Sequence, residues 1–286
     1  MIRALCFSLG LAASALPAAA AQPPRPASPT AAPAAAGQPS YADIADLALP
    51  APVAAHVRLR RAQPLRAAEA AGLAAGLTRF YIEAEVVALI RGEPGMPTQV
   101  RYLADFPNGA NGRPPKLQKK SEWLIFGRAV PGRPGELQLA APDAQLPFTP
   151  QTAERARAVL RAALETGAPP AITGIGRAFH VPGVLPGASE TQIFLLTSQN
   201  QPISLTVIRE PRARPRWFVS LSEFLDAGAT QPQPDSLLWY RLACFLPAQL
   251  PAASFAEAAQ HRAAIAADYR LVREGLGPCV RNRTRR

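Results

Sequence analysis

The side chains that most often carry metal or redox chemistry are scarce in this sequence. Its 286 residues include three cysteines and three histidines. His56, His180 and His261 lie far apart along the chain and have no zinc-type spacing with cysteines or acidic residues, and the sequence has no Cys-x-x-Cys pair. The sequence therefore predicts no metal, no cofactor and no redox dithiol, and we expect the histidines to be structural or at the surface.

Motifs of nucleophilic and nucleotide-dependent enzymes are also absent. The sequence has no Gly-x-Ser-x-Gly elbow. The stretch "TGIGRAF" carries Gly174 and Gly176, but a dinucleotide loop needs a third glycine where Phe179 stands, and a helix where the strand pattern continues. We expect these glycines to permit a β-bulge or a close approach of strands.

Charge is sparse, at 18% of residues, and the formal net charge is +11. All but three of the 31 basic residues are arginine, and alanine and proline are abundant, which is typical of a GC-rich coding bias. We therefore do not take the positive charge as a sign of a nucleic-acid partner. It is compatible with an acidic surface or a polyanion.

Long apolar runs are missing, since no segment reaches the roughly 18 residues of a membrane-spanning helix. Residues 1–21 instead have the pattern of a signal peptide, with Arg3, a short apolar run, and Ala19 and Ala21 at the −3 and −1 positions. We expect cleavage after Ala21, within one or two residues, and a periplasmic or secreted protein without a transmembrane segment. The alternative is an uncleaved anchor or a buried helix.

Cleavage would remove Cys6 and leave Cys244 and Cys279. Two cysteines in an oxidising compartment predict a disulfide, whereas the alternative is two buried free thiols. The bridge would close a loop of about 35 residues and stabilise the fold by roughly 4 kcal/mol. A simple hairpin of the last two helices would separate the cysteines, so either residues 247–253 first carry the chain away or the segment after Gly275 folds back.

The overall pattern predicts an α+β protein that is mostly β. Residues 22–52 are rich in alanine and proline and are expected to form a disordered tether. Residues 53–168 are expected to form a barrel-like β domain with a C-terminal helix. Residues 169–280 are expected to form a small antiparallel, four-stranded sheet with two disulfide-pinned helices, followed by a basic tail at 281–286.

The strands are predicted from alternating polarity. In "FYIEAEVVALIRG", Ile82 and Ala84 share one face, and Tyr81 and Glu83 share the other. Further strands are expected near 98–106, 122–130, 136–140, 171–181, 190–197, 203–210 and 216–224. Helices are expected from Thr149 to Gly167, from Asp235 or Ser236, and from a capping box at Ser254 to Gly275.

Part of the barrel region resembles a known family. The segments "EAEVVALIRG", "QVRYLADF" and "KKSEWLIFGRAVPGRPGELQL", followed by a helix, make residues 80–164 similar to netrin-like modules, the OB-type barrels of tissue metalloproteinase inhibitors and their relatives. The resemblance implies a small closed barrel that binds partners on its face. Inhibition in that family uses an N-terminal cysteine, and here the expected mature N-terminus is Gln22, so inhibition is not implied.

All three lysines of the chain lie together, as Lys116, Lys119 and Lys120, with Arg113 just before them. One interpretation is that they are gatekeepers, which keep an edge strand or the entry to it from pairing with other chains. The other is a basic binding rim at the mouth of the barrel, for an anionic envelope component or an acidic protein.

With no catalytic motif, the sequence favours a non-catalytic binding or assembly protein of the bacterial periplasm or cell surface. The alternative is a secreted hydrolase with a dispersed active site, which a cleft of buried, converging polar side chains would favour.

Overall fold

The computed structural model describes residues 38–222 and 229–283. The predicted signal peptide lies outside these residues, as does the first part of the predicted tether. The helices are α1 Tyr41–Ala48, α2 Pro150–Ala162, α3 Leu237–Ala243 and α4 Arg262–Leu276. The strands are β1 Val53–Pro64, β2 Leu77–Arg91, β3 Gln99–Pro107, β4 Glu122–Ala129, β5 Glu136–Leu139, β6 Gln145–Pro147, β7 Ile172–Pro182, β8 Ser189–Thr197, β9 Ile203–Arg209 and β10 Arg216–Ser220.

The first five strands close into a barrel of the OB type, which confirms the predicted fold class. The order around the barrel is β1-β2-β3-β5-β4, and β4 pairs with β1 to close it. Only the β3–β5 pairing is parallel among these strands. The short strand β6 adds to the other side of β4.

The alternating pattern of β2 and β3 decides which side chains fill the barrel. Phe80, Ile82 and Ala84 of β2 are buried in its interior with alternate residues of β3. The intervening residues, including Tyr81 and Arg101, therefore lie on the outer surface of the barrel.

The first part of strand β1 shows no alternating pattern in the sequence, because both of its faces are covered there. Its first five residues are all buried. Ala55 and Val57 pack in the barrel interior, whereas Ala54 packs in a second hydrophobic cluster outside it. A strand covered on both sides has no polar face to show in the sequence.

The predicted tether is wrong for residues 41–48, which form α1. Ser40 and Asp43 make a reciprocal capping box at its start. Its apolar residues, among them Ile44 and Leu47, are buried in the cluster outside the barrel. Composition alone misled the prediction, because alanine serves equally well in a tether and in a closely packed helix.

The predicted basic tail is likewise folded over residues 281–283. Arg281 pairs with Asp46 of α1, and the backbone N–H groups of Asn282 and Arg283 donate to Asp43. The two ends of the described chain therefore meet at α1.

The second sheet has the order β10-β9-β8-β7, and its neighbouring strands are antiparallel, as predicted. The β7–β8 register shifts on either side of Gly174–Ile175, which confirms the bulge expected from the glycines. One hydrophobic cluster continues from this sheet through the helices to Leu124 and Phe126 of the barrel. Both sheets thus share a core.

The last helix begins later than predicted, at Arg262 instead of Ser254. Short 3₁₀ turns occupy Ala252–Phe255 and Ala259–His261, and the Ser254 side chain is buried rather than capping a helix. The chain therefore runs away from Cys244 before α4 returns, and the predicted Cys244–Cys279 disulfide forms. Trp239 of α3 donates its indole N–H to the carbonyl of Leu276 at 2.8 Å and holds the two helix ends together.

Among the described residues, no helix is both long enough and apolar enough to cross a membrane.

Candidate functional site on the outer face of the barrel

A groove of about 670 Å³ crosses the outer face of the barrel over β2, β3 and β5. Strand β5 pairs with β3 through only two residue pairs, and Ala140–Pro142 then run beside the end of β3. The N–H of Asp105 donates to the carbonyl of Pro142 at 2.8 Å and fixes this wall. The groove is thus built on backbone that the barrel hydrogen bonds hold in place.

Cross-strand pairs between β2 and β3 form the floor. Tyr81 lies opposite Leu103, and Arg79 lies opposite Asp105. Leu103 is 44% exposed, although it is a large apolar residue in a regular strand. The groove therefore presents an aromatic ring and an aliphatic side chain to solvent, between charged groups.

The arginines of the groove differ in how firmly they are held. Arg79 donates to both carboxylate oxygens of Asp105, at 2.7 and 2.9 Å. This two-point contact makes the pair a fixed part of the floor, and the hydrogen bond to Asp105 raises the pKa of Arg79 above its ordinary value. Arg101 is exposed and makes no ion pair with any described acidic residue, so its guanidinium is available to a ligand.

The turn between β4 and β5 closes the other end of the groove. It supplies Arg133, which pairs with Glu136 at 3.3 Å while remaining largely exposed. Exposed pairs of this kind contribute at most ~1 kcal/mol, so Arg133 can exchange Glu136 for a ligand at little cost. The groove is thus lined by three arginines, Arg79, Arg101 and Arg133, and by two acidic residues, Asp105 and Glu136.

A second hollow of about 330 Å³ continues the groove toward the β1–β2 loop. It shares Arg79, Asp105 and Pro142 with the first and adds Gly72 and Ala74 from that loop. The combined surface is elongated and suits an extended chain better than a compact ligand.

The predicted lysine cluster lies elsewhere, in the 108–121 loop between β3 and β4. Arg113, Lys116, Lys119 and Lys120 are all exposed, and none of them lines the groove. Leu117 packs against the barrel interior cluster, and Lys120 donates its N–H to the carbonyl of Leu59. The loop is anchored at these points, and the four basic side chains make no ion pair with described residues. Their role in binding stays a prediction.

The gatekeeper interpretation is not supported for an edge at β4, because β4 is not an edge strand in the folded chain. Residues Glu122–Gly127 pair with β1 on one side. On the other side, β4 pairs with β6 over Trp123–Ile125 and with β5 over Gly127–Ala129. A strand paired on both sides has no free edge for another chain to extend.

Buried polar side chains converge between the second sheet and α4. Thr191 and Asp268 are 0% and 1% exposed, and the Thr191 hydroxyl donates to the Asp268 carboxylate. His180 Nδ1 lies 2.8 Å from the same hydroxyl oxygen. A nucleophilic hydroxyl would donate its proton to the histidine and would need access to substrate. Thr191 meets neither condition, so this cluster does not support a hydrolase.

His56 is structural, as expected. His56 is buried, lies 3.1 Å from a carboxylate oxygen of Glu122, and stacks on Phe148 with 3.6 Å between ring centroids. The hydrogen bond from Arg58 and then that of His56 hold the pKa of Glu122 below its ordinary value.

Sequence reasoning missed the residues of the groove. Tyr81 was placed on the outer face of its strand, but nothing in the sequence indicated that β5 would lie beside β3. The one available signal was the polar face of β3, where arginine and an aliphatic residue alternate with buried positions.

The comparisons with known proteins give no family for the chain: no protein-family model matches it, and no curated protein matches it.

Proposed function

We propose that this chain is a non-catalytic binding protein of the bacterial periplasm or cell surface, and that its barrel binds an extended anionic ligand in the outer groove. The ligand class is an acidic envelope polysaccharide. The observation that supports the proposal most directly is the groove itself, where Leu103 and Arg101 are exposed and Tyr81 is partly exposed on the floor.

The chemistry of the floor favours an acidic sugar chain. Aromatic and aliphatic side chains pack against the apolar faces of sugar rings, and a guanidinium binds a carboxylate through two parallel hydrogen bonds. Barrels of the OB type bind oligosaccharides and oligonucleotides on the surface of their second and third strands, which is where this groove lies. Three arginines against two carboxylates leave the larger hollow with a positive balance of one. Asp143 lines the second hollow, where Arg283 pairs with it at 2.8 Å.

The lysine cluster has a secondary part in this proposal. Its exposed charges would attract a polyanion over a distance of about 10 Å at moderate salt, without fixing its position. Binding through these residues should therefore fall steeply with ionic strength, whereas the contacts of Tyr81 and Leu103 should persist.

The test compares three variants for binding to oligogalacturonate, an acidic sugar chain, by titration calorimetry at low and high salt. The groove variant carries Tyr81→Ala and Arg101→Gln. The cluster variant replaces Lys116, Lys119 and Lys120 by glutamine. The matched control is Arg212→Gln, an exposed arginine in the β9–β10 turn that makes no ion pair with described residues.

We expect the groove variant to lose at least tenfold in affinity at both salt concentrations, which corresponds to ~1.4 kcal/mol. The cluster variant should lose affinity at low salt only, and the control should bind like the parent. If the groove variant binds like the control while the cluster variant loses all binding, the groove is not the site. If none of the proteins binds the sugar chain, the ligand class is wrong.

A further inference from the structure

We propose that His180 and His261 form a binding site for a divalent transition-metal ion, with Cu²⁺ bound more tightly than Zn²⁺. The site lies where the second sheet meets α4, and it does not depend on the ligand proposed for the barrel groove. His180 belongs to β7, and His261 immediately precedes Arg262, the first residue of α4.

The helix and the sheet bring these residues together through their periodicities. His261, Ile265 and Asp268 follow one another at intervals of four and three, so they share the face of the helix that packs on the sheet. On the sheet, His180 and Thr191 are direct partners across β7 and β8, so their side chains point to the same side. Both histidines are partly exposed, which leaves an ion a path to the rings.

The spacing of the rings fits a chelate. Their centroids are 5.0 Å apart, and the ring planes are inclined by 43°. A metal ion about 2.0–2.1 Å from one nitrogen of each ring, with a near-tetrahedral angle between them, holds the two centroids roughly 5 Å apart. Among the described residues no third histidine, cysteine or acidic side chain completes a cluster, so water supplies the other ligands.

A chain of hydrogen bonds prepares His180 for this role. The Asp268 carboxylate is held by the Arg209 Nε at 2.7 Å and accepts the proton of the Thr191 hydroxyl. Because that proton is committed to Asp268, the Thr191 oxygen accepts from the Nδ1–H of His180. The lone pair of the neutral ring then resides on Nε2, which is free to bind a metal. Metal-binding histidines commonly have their second nitrogen fixed in this way.

The charges around the site are balanced. The positive charge of Arg209 would oppose a bound cation, but the buried carboxylate of Asp268 pairs with it. The order of affinities follows from the general preference of nitrogen ligands for Cu²⁺ over Zn²⁺.

The experiment is a titration of the mature, disulfide-bonded protein with CuCl₂ and, separately, ZnCl₂ in a non-chelating buffer. We expect one Cu²⁺ per chain, with electron paramagnetic resonance showing coupling to imidazole nitrogens. His180→Gln and His261→Gln should each weaken binding at least tenfold, whereas the matched change His56→Gln should not affect it. Thr191→Val should weaken binding by about 10–100-fold while both ligands remain, because Thr191 only positions His180.

His261→Gln decides the outcome if the changes at the buried positions prevent folding, since it alters a partly exposed side chain at a helix start. Unchanged Cu²⁺ affinity in a folded His261→Gln variant would place the ion elsewhere, for example at the terminal amine, and overturn the proposal. Absence of nitrogen coupling, or of any binding at micromolar protein, would overturn it as well. None of these results bears on sugar binding by the groove, so the two proposals fail separately.

Discussion

Removing the ion pair between the C-terminal segment and α1 should destabilise the whole fold. Arg281 donates to both carboxylate oxygens of Asp46, at 2.7 and 3.3 Å, and the Tyr240 hydroxyl donates to the same carboxylate at 2.7 Å. The Asp46 side chain is only 9% exposed, and that of Arg281 is 24% exposed. The hydrogen bond to Asp46 raises the pKa of Arg281 above its ordinary value.

The expected magnitude follows from this burial. Hydrogen bonds to charged groups contribute ~1.5–3 kcal/mol when buried, and partial exposure of the arginine reduces that by screening. We therefore expect Arg281→Gln to lower the free energy of unfolding by ~1–2 kcal/mol, since the carboxylate of Asp46 loses its cation. Asp46→Asn should cost a similar amount, and the double variant should cost less than the sum by ~1 kcal/mol, because the two changes remove one interaction.

Urea denaturation, followed by tryptophan fluorescence, measures these differences. The matched control is Arg161→Gln, which removes a pair with Glu154 whose side chains are 66% and 59% exposed, and should cost less than ~1 kcal/mol. If Arg281→Gln costs no more than this control, and the double variant shows no coupling, residues 281–283 are a free tail and our account of the terminus is wrong.

Three further predictions concern other parts of the fold. The double change Cys244→Ser and Cys279→Ser should lower the free energy of unfolding by ~2–5 kcal/mol in urea, and a smaller loss would mean that the bridge is dispensable. Gly275→Ala places a Cβ 2.5 Å from the indole Nε1 of Trp217. This overpacking should lower the free energy of unfolding by ~1–3 kcal/mol and so lower the Tm, whereas an unchanged Tm would show that the indole ring moves aside without cost. The pKa of His180 is lowered in the folded chain, so the folded chain binds fewer protons at this residue than the unfolded chain does. The contribution of His180 to stability is therefore present above about pH 6.5 and is lost as the pH falls through the folded pKa. The Tm of the parent should thus fall more on acidification than that of His180→Gln, and parallel curves would contradict this.

The parts of the fold that could be predicted are those whose sequence shows one exposed and one buried side. Strand β2 was predicted because Tyr81 and Glu83 alternate with the buried Ile82 and Ala84. Helix α2 was predicted from its local start signal, since Thr149 accepts a hydrogen bond from the N–H of Thr152 as an N-cap should. It ends at Ala162 rather than Gly167, because nothing in the sequence distinguishes its last turn from the loop.

The parts that could not be predicted depend on partners distant in the chain. Strand β1 and helix α1 are rich in alanine, and their small side chains are selected by close packing that only the assembled core provides. The Ser254 capping box failed for the same reason, since a local motif that favours a helix start was overruled by burial of the serine. The groove depends on the pairing of β3 with β5. These strands are separated in the chain, so no periodic pattern in the sequence indicates that they pair.

The two proposed sites differ in how far apart in the sequence their residues lie. The groove uses outward-facing residues of two strands that follow one another in the chain, and Tyr81 was assigned to the face opposite Ile82 and Ala84 in advance. The histidine site joins a strand to a helix about 80 residues later, and each histidine alone carries no signal. Asp268 supplies the connection, because a buried carboxylate needs partners, and it finds them in Thr191 and Arg209. That requirement fixes how α4 lies on the sheet, and the same docking brings His261 beside His180. Replacing Asp268 would therefore disturb the fold and the site together, which is why the test of the site uses the two histidines and Thr191.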